Sequence, residues 1–232
     1  MTGKMPKSLV NALRPVTLVV GHYGAGKTNF ACNLAIDLRE AGNGVTVIDL
    51  DIVNPYFRVS EQRSVLEEHG VQLIAPVFAE AGSSLDVPSL RGAISPAIEL
   101  AREDHYVVID VGGDDAGSTA LGRYENVISA REYAMLYVAN RFRNLVADCA
   151  DAIENLHEIE AASRLRATAI VNNSHLQSET TTDAIELGFA YSLEFARSAA
   201  LPLVCTTVPA AEGGIVVPNA YPIGRFVKTP WE

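Results

Sequence analysis

The sequence predicts an α/β fold: a doubly wound, mostly parallel, seven-stranded sheet with helices on both faces. Short apolar segments rich in β-branched residues alternate with segments of ten or more residues that have helical periodicity. Successive strand–helix–strand units form right-handed crossovers, which produce a parallel sheet covered on both faces. In addition, 48% of the 232 residues are hydrophobic, which is enough for one α/β domain with a sizeable core.

Each predicted strand is a short apolar run bounded by turn or helix signals. The seven strands are predicted at residues 16–20, 45–51, 71–75, 106–111, 134–139, 167–171 and 203–207. No linker-like composition and no internal repeat divides the chain, so we expect one domain over residues 1–232. Its core is expected at 14–209, followed by an irregular tail at 210–232, where Pro222 and Pro230 disfavour a helix.

The helices are predicted from apolar residues that recur every three or four positions. They are expected at residues 30–38, 60–68, 96–102, 118–130, 145–159 and 182–199, with a loop at 81–88. Some of their ends carry recognisable signals: Ser60 is a candidate N-cap, and Gly42 and Gly70 are candidate stops. These helices connect successive strands, as a parallel sheet requires.

A phosphate-binding loop (Walker A) with the pattern G-x-x-x-x-G-K-[ST] lies between the first strand and the first long helix. Its glycines let the backbone approach phosphate oxygens, and N–H groups at the helix start then point at the anion. Lys27 is expected to reach the β- and γ-phosphates, and the Thr28 hydroxyl to bind Mg²⁺. The residues predicted to bind the nucleotide here are Gly21, His22, Tyr23, Gly24, Ala25, Gly26, Lys27, Thr28 and Asn29. The sequence therefore predicts a nucleotide-binding protein.

Polar residues at the carboxyl ends of three other strands are expected to converge on the same crevice. Asp110 ends the fourth strand and is predicted to orient Mg²⁺, directly or through a water. Gly113 follows it and would let the backbone approach the γ-phosphate and move when that group leaves. The other polar residues at strand ends are Asp49, Asp51, Asn172 and Asn173.

Asp49 and Asp51 alternate in the second strand, so both carboxylates point to the same side of it. Two neighbouring negative charges are costly without a cation, and Mg²⁺ together with Lys27 would supply one. Asp51 is predicted to activate or position the attacking water and, with Asp49, to belong to the metal site, where Asp49 supports the metal shell. Arg58 is expected near the γ-phosphate, where it is a candidate for stabilising transition-state charge, with a surface arginine as the alternative.

The end of the sixth strand bears on the choice of base. A guanine-specific GTPase needs N-K-x-D, whose Asp binds the guanine edge, and residues 171–176 have neither that Lys nor that Asp. An asparagine amide can pair with adenine through one donor and one acceptor, so ATP is favoured over GTP. Asn172 and Asn173 remain alternatives for this contact, because a one-residue register shift swaps their faces. An asparagine that only bonds local backbone is a further alternative.

Charge and composition also limit the possible partners. The formal charge of −10 disfavours sequence-independent DNA binding, because an acidic surface repels the phosphate backbone. No membrane partner is expected either, because no segment reads as a signal sequence, a span or a surface helix. The three cysteines are isolated, which argues against a zinc site or a disulfide framework and fits a reducing compartment. We therefore expect a cytoplasmic protein that binds neither nucleic acid nor membrane.

Together these elements resemble the MinD/ParA and cobyrinic-acid-amidase-type (CobQ/CobB/MinD/ParA) family of SIMIBI-like phosphate-loop proteins. The similar elements are GHYGAGKT at 21–28, VIDLDIVN at 47–54, VVIDVGG at 107–113 and the strand-end asparagine near Asn172. The resemblance implies that Asp51 positions the hydrolytic water. It also implies that the protein forms a homodimer when it binds ATP, and that this dimer relaxes after hydrolysis. One position differs: the signature lysine of MinD and ParA, which reaches the partner's phosphates across the dimer, is His22 here.

The leading hypothesis is a slow, Mg²⁺-dependent ATPase that acts as a switch. ATP and ADP would set its dimeric state and its contacts with an unidentified protein partner. The first alternative is a ligase or kinase of the dethiobiotin synthetase or cobyrinic acid amidase type, which predicts slow ATP turnover until a small-molecule substrate is added. The second alternative is a sensor that binds ATP but hardly hydrolyses it, and His22 in place of the lysine supports it.

Overall fold

The computed structural model describes residues 5–51, 59–75, 87–143, 148–211 and 215–227. Its centre is a sheet of eight strands: β1 (Val16–Val20), β2 (Gly44–Leu50), β3 (Gln72–Ile74), β4 (His105–Val111), β5 (Tyr133–Ala139), β6 (Ala169–Asn172), β7 (Leu203–Pro209) and β8 (Ala220–Ile223). The strands lie in the order β3-β2-β4-β1-β5-β6-β7-β8, and all neighbours are parallel. The predicted fold class is confirmed, with one strand more than the seven predicted.

Helices cover both faces of this sheet. They are α1 (Lys7–Ala12), α2 (Lys27–Glu40), α3 (Arg63–Glu68), α4 (Val87–Glu99), α5 (Asp115–Gly122), α6 (Glu125–Ser129), α7 (Cys149–Ser163) and α8 (Thr182–Ser198), with 3₁₀ turns at Val59–Gln62 and Gln177–Glu179. Side chains alternate along each strand, so Leu18 enters the core under α4 to α8 and Val19 the core under α1 to α3. Within the described ranges, no helix is long and apolar enough to cross a bilayer.

The eighth strand lies in the tail that the sequence predicts to be irregular. It pairs with β7 at the edge of the sheet, a position that tolerates Pro222 because an edge strand leaves some N–H positions unpaired. Tyr221 anchors the strand: its side chain is buried, its ring packs edge-on against Phe30, and its hydroxyl donates to Asp37 Oδ2 at 2.8 Å. The sequence does not predict this strand, because the prolines of the tail disfavour regular secondary structure.

Four predicted helices differ in the structure. The predicted helix 60–68 is a 3₁₀ turn at Val59–Gln62 followed by α3, whose N-cap is Gln62 and not Ser60. α4 starts within the predicted loop 81–88, of which residues 81–86 lie outside the described ranges, and it contains Pro96, which sequence preference places at a helix start. The predicted helix 118–130 is two helices, α5 and α6. α7 begins after Asp148, whose side chain caps the helix by accepting from the Asp151 N–H.

Candidate functional site

The phosphate loop and several strand ends meet along the carboxyl edge of the sheet, where ligands of parallel α/β sheets bind. A cavity of about 810 Å³ lies there, bordered by the loop after β1 and by the ends of β2, β5, β6, β7 and β8. The predicted site residues that line it are Tyr23, Gly24, Gly26, Lys27, Thr28, Asn29, Asp51 and Asn173. The cavity thus joins the predicted phosphate end to the predicted base end.

Two glycines bring the backbone close enough to form this site. Gly26 precedes α2 in the left-handed region at φ +90°, and a Cβ there would collide with the amide nitrogen of Asn173. A Cβ on Gly113 would lie 2.5 Å from the Tyr23 nitrogen and 2.6 Å from Lys27 Nζ. The loop after β4 therefore packs directly against the phosphate loop, as the role predicted for Gly113 requires.

Lys27 is the buried cation of the site. Its side chain is almost inaccessible, and its Nζ donates to the His22 carbonyl at 3.0 Å. Burial lowers the pKa of Lys27, while the carboxylates of Asp110, Asp51 and Asp114 oppose that change. An ammonium group held among carboxylates at the start of a helix is placed to receive phosphate oxygens.

Thr28 and Asp110 form the second part of the phosphate end. Thr28 Oγ1 donates to Asp110 Oδ2 at 2.7 Å. The other oxygen, Asp110 Oδ1, is buried and accepts no hydrogen bond from the described residues. Burial raises the pKa of Asp110 to about 7; the Thr28 hydrogen bond and the charge of Lys27 oppose this, and Asp49 and Asp51 add to it.

These two residues fit a magnesium ion. A buried carboxylate oxygen without a donor is costly, so Asp110 Oδ1 is suited to a metal ion or a metal-bound water, and Thr28 Oγ1 to direct ligation. Mg²⁺ that arrives with a nucleotide takes one or two protein ligands, with phosphate oxygens and waters completing its shell. Accordingly, the described part of the chain holds no group of three or more His, Cys, Asp and Glu residues that could bind a metal alone.

The raised pKa of Asp110 makes stability depend on pH. Between about pH 4 and 7 the folded chain binds more protons at this group than the unfolded chain, so its contribution to stability is lost as pH rises through that window. As pH rises through this window, we expect the free energy of unfolding of the nucleotide-free wild-type protein to fall more steeply than that of Asp110→Asn. The difference in slope is up to about 1.4 kcal/mol per pH unit. Urea unfolding of both proteins at pH 4.5 to 7.5 measures this difference, and parallel profiles would contradict it.

The two carboxylates at the end of β2 differ in their surroundings. Asp49 is fully buried, and its oxygens accept from the backbone N–H groups of Asp51 at 3.0 Å and Ser60 at 3.2 Å. Asp51 lines the cavity and is slightly exposed. The geometry therefore places Asp51 at the site and Asp49 behind it. Arg58, with residues 52–57, lies outside the described ranges, so its predicted role stays a prediction.

The two asparagines after β6 also differ. Asn172 is fully buried; its Oδ1 accepts from the Ser174 N–H at 3.0 Å, and its Nδ2 donates to Thr206 Oγ1 at 3.3 Å. Asn173 lines the cavity, and its Nδ2 donates to the Ala25 carbonyl of the phosphate loop at 2.7 Å. Its Oδ1 accepts from the Thr207 hydroxyl. Asn173 is thus the one at the site, where its amide braces the phosphate loop.

Asn29 lines the cavity and contacts a segment far along the chain. Its side chain bonds the backbone of residues 224–227, which follow β8 and border the cavity. Nothing in the local sequence signals this contact, because about 195 residues separate the partners. Asn29 therefore lines the cavity and also holds this segment, and its predicted role in nucleotide binding stays a prediction.

Many lining residues are absent from the sequence-based set, and two of them, Arg143 and His175, lie beside predicted site residues. Arg143 follows β5 and lies against the phosphate loop, since a Cβ on Gly24 would be 3.4 Å from its Nε. His175 follows β6; burial and the charge of Arg143 lower its pKa to about 4, and its Nε2 lies 3.2 Å from Asn173 Oδ1. The rule that ligands lie beyond strand ends could have pointed to both segments, but not to these side chains.

Comparisons with known proteins concern the family and the fold of this chain. The sequence matches a family model described as the CobQ/CobB/MinD/ParA nucleotide binding domain over residues 16–187. No curated protein sequence matches the chain.

Solved structures share the fold at low sequence identity. The cell division protein FtsY from Thermotoga maritima is 20% identical with a TM-score of 0.55, over 85% of this chain and 64% of that one. FtsY from Elizabethkingia anophelis in complex with GDP is 18% identical with a TM-score of 0.52, over 84% and 57%. A nucleotide-binding protein from Archaeoglobus fulgidus in complex with ADP is 14% identical with a TM-score of 0.51, over 84% and 81%. This chain therefore spans less than two thirds of these FtsY chains, and the likeness shows the fold alone.

Proposed function

The chain belongs to the CobQ/CobB/MinD/ParA nucleotide-binding domain family, and we propose that it is a cytoplasmic, Mg²⁺-dependent ATPase that acts as a nucleotide switch. Binding of ATP makes two copies of the chain associate into a homodimer, and hydrolysis of ATP to ADP and phosphate loosens this dimer. Contacts with a protein partner then depend on which nucleotide is bound. The observation that supports this best is the convergence of Lys27, Thr28, Asp110 and Asp51 at one end of a cavity large enough for a nucleotide.

Each of these residues has a distinct task in hydrolysis. Lys27 exchanges its bond to the His22 carbonyl for β- and γ-phosphate oxygens. Thr28 and Asp110 would hold Mg²⁺, which supplies charge neutralisation on the phosphates. Asp51 orients a water for in-line attack on the γ-phosphorus; the bond to the ADP oxygen breaks, and the proton of the water leaves with the phosphate or through Asp51.

The far end of the cavity favours adenine over guanine. Among the described lining residues Asp51 is the only carboxylate, and it lies at the phosphate end near Lys27. A guanine bound at the far end would therefore find no carboxylate there to accept hydrogen bonds from its N–H donors. Apolar side chains such as Leu176, Pro209 and Ala210 line the cavity on the β6 and β7 side, which suits the flat face of a purine.

The mouth of the cavity has features that suit a dimer. Tyr23 and Leu176 border it with large apolar surfaces that are 53% and 41% exposed. His22 occupies the position of the signature lysine, so another cation has to supply that charge. Arg143, beside Gly24, is placed to supply it from the same chain. A partner protomer would then cover the apolar rim rather than donate the lysine.

The test is Mg²⁺-dependent hydrolysis and equilibrium binding of ATP and GTP, with specific activity followed across protein concentration. We expect ATP to bind at least about tenfold more tightly than GTP, because unpaired polar groups in a buried site are strongly disfavoured. Turnover per molecule is expected to rise with concentration, because the dimer is the active species.

Three other results would contradict this proposal. Tighter binding of GTP would reject the assignment of the base. Tight ATP binding without turnover at any concentration would indicate a non-hydrolysing sensor. Turnover that appears only when a small-molecule acceptor is added would indicate a ligase or kinase.

A further inference from the structure

A short segment near the C-terminus forms one wall of the cavity. Residues 223–227, here called the C-terminal strap, begin at the last residue of β8 and continue in a conformation without helix. Ile223, Gly224, Arg225 and Val227 line the cavity, whereas Phe226 packs against the core beneath α1 to α3. The strap therefore presents one surface to the cavity and anchors itself through Phe226.

Two asparagines of α2 hold the strap in place. Asn29 Nδ2 donates to the Gly224 carbonyl at 2.9 Å, and Asn29 Oδ1 accepts from the N–H groups of Phe226 at 2.8 Å and Val227 at 3.4 Å. Asn33 Nδ2 donates to the same carbonyl at 2.9 Å, and its Oδ1 accepts from the Gly224 N–H at 2.7 Å. Because Asn29 directly follows Thr28, the first turn of the phosphate-loop helix fixes the position of the strap.

The order of strands indicates which part of a nucleotide the strap would contact. Asp51 and Asp110 come from β2 and β4, on one side of β1 and its phosphate loop. The strap follows β8, on the other side, beyond β5, β6 and β7. With the γ-phosphate directed toward the carboxylates, the nucleoside must extend toward the β5 to β8 side of the cavity.

We propose that the C-terminal strap holds the nucleoside moiety of the bound nucleotide, and that Asn29 and Asn33 are positioning residues for it. This inference rests on the nucleotide site proposed above. Ile223 and Val227 offer apolar surface to a base, and the exposed guanidinium of Arg225 is planar and can stack on a purine. Docking of the strap and binding of the nucleoside then stabilise each other.

The test compares ATP with inorganic tripolyphosphate, which carries the phosphate chain without a nucleoside. Asn29→Ala removes three hydrogen bonds to the strap, and we expect it to weaken ATP binding by about tenfold. Its affinity for tripolyphosphate is expected to stay within about twofold of the wild-type value, because the phosphate loop keeps its own contacts. Calorimetry with both ligands in the presence of Mg²⁺ measures the two affinities.

Asn43→Ala is the matched control. It removes a side-chain bond to the Leu38 carbonyl at the other end of α2, far from the strap, and should change neither affinity. Arg225→Ala and Val227→Ala change accessible side chains of the strap, so they test the same point if Asn29→Ala unfolds the protein. Each is expected to weaken binding of ATP but not of tripolyphosphate.

Two results would overturn the role of the strap while the wild-type protein still binds ATP. One is an equal loss of affinity for ATP and tripolyphosphate in Asn29→Ala. The other is an unchanged affinity for ATP in Asn29→Ala, Arg225→Ala and Val227→Ala alike. A wild-type protein that binds neither ligand would instead overturn the proposed function, and this inference with it.

Discussion

Replacing Lys27 by alanine is expected to lower the rate of ATP hydrolysis by about 10²- to 10³-fold, as loss of one transition-state donor does. ATP binding should weaken by about tenfold or more, because a charge-assisted hydrogen bond to the phosphates is lost. The buried ammonium group lies among Asp110, Asp51 and Asp114. Without it these carboxylates repel each other and the incoming phosphates. Phosphate release at saturating ATP and calorimetric binding measure the two effects.

Lys7→Ala is the matched control, because Lys7 is an exposed lysine of α1 and does not line the cavity. It should leave both turnover and affinity unchanged. Lys27→Ala must also retain the far-ultraviolet circular dichroism of the wild-type protein, so that the loss can be assigned to the site. A Lys27→Ala protein that hydrolyses ATP at the wild-type rate would place the reaction elsewhere.

The fold and the phosphate end of the site follow from local patterns. Short apolar runs rich in β-branched residues specify each of the seven predicted strands, and the rule that ligands lie beyond strand ends brings Lys27, Asp51 and Asn173 to one cavity. β8 was beyond this reasoning, since Pro222 is acceptable only once the strand is known to lie at an edge. Edge position is a property of the whole sheet and has no local signal.

The differences between neighbouring residues needed the structure. Asn172 and Asn173 are equivalent in the sequence, and the register of β6 decides that Asn173 faces the cavity. Asn29 belongs to the phosphate-loop segment, yet its side chain is used by backbone groups about 195 residues away. Contacts of this kind depend on packing between distant elements, which periodicity does not encode.

Replacing Asp51 by asparagine is expected to lower ATP turnover by about 10²- to 10⁴-fold, the usual contribution of a group that activates or positions the attacking water. ATP affinity should stay within about threefold of the wild-type value or increase, because a negative charge near the phosphates is removed. Asp51 lines the cavity, and asparagine has nearly the same shape. Single-turnover kinetics together with equilibrium binding separate the two effects. Equal losses in binding and turnover would instead make Asp51 a ligand of the nucleotide–metal complex.

Asp49→Asn provides the comparison that assigns these roles within the D-x-D pair. Both oxygens of Asp49 accept backbone N–H groups, and an asparagine would turn an NH₂ donor toward the Asp51 or Ser60 N–H. This variant should therefore lose about 1–3 kcal/mol of stability, the cost of an unsatisfied buried group, together with part of its turnover. Asp51→Asn should lose far more turnover than Asp49→Asn for the same loss of stability, because the Asp51 carboxylate lines the cavity. Asp115→Asn, at an exposed carboxylate on α5, should change neither property. Measuring stability together with turnover distinguishes Asp51, which acts on the attacking water, from Asp49, which holds the Asp51 backbone in place.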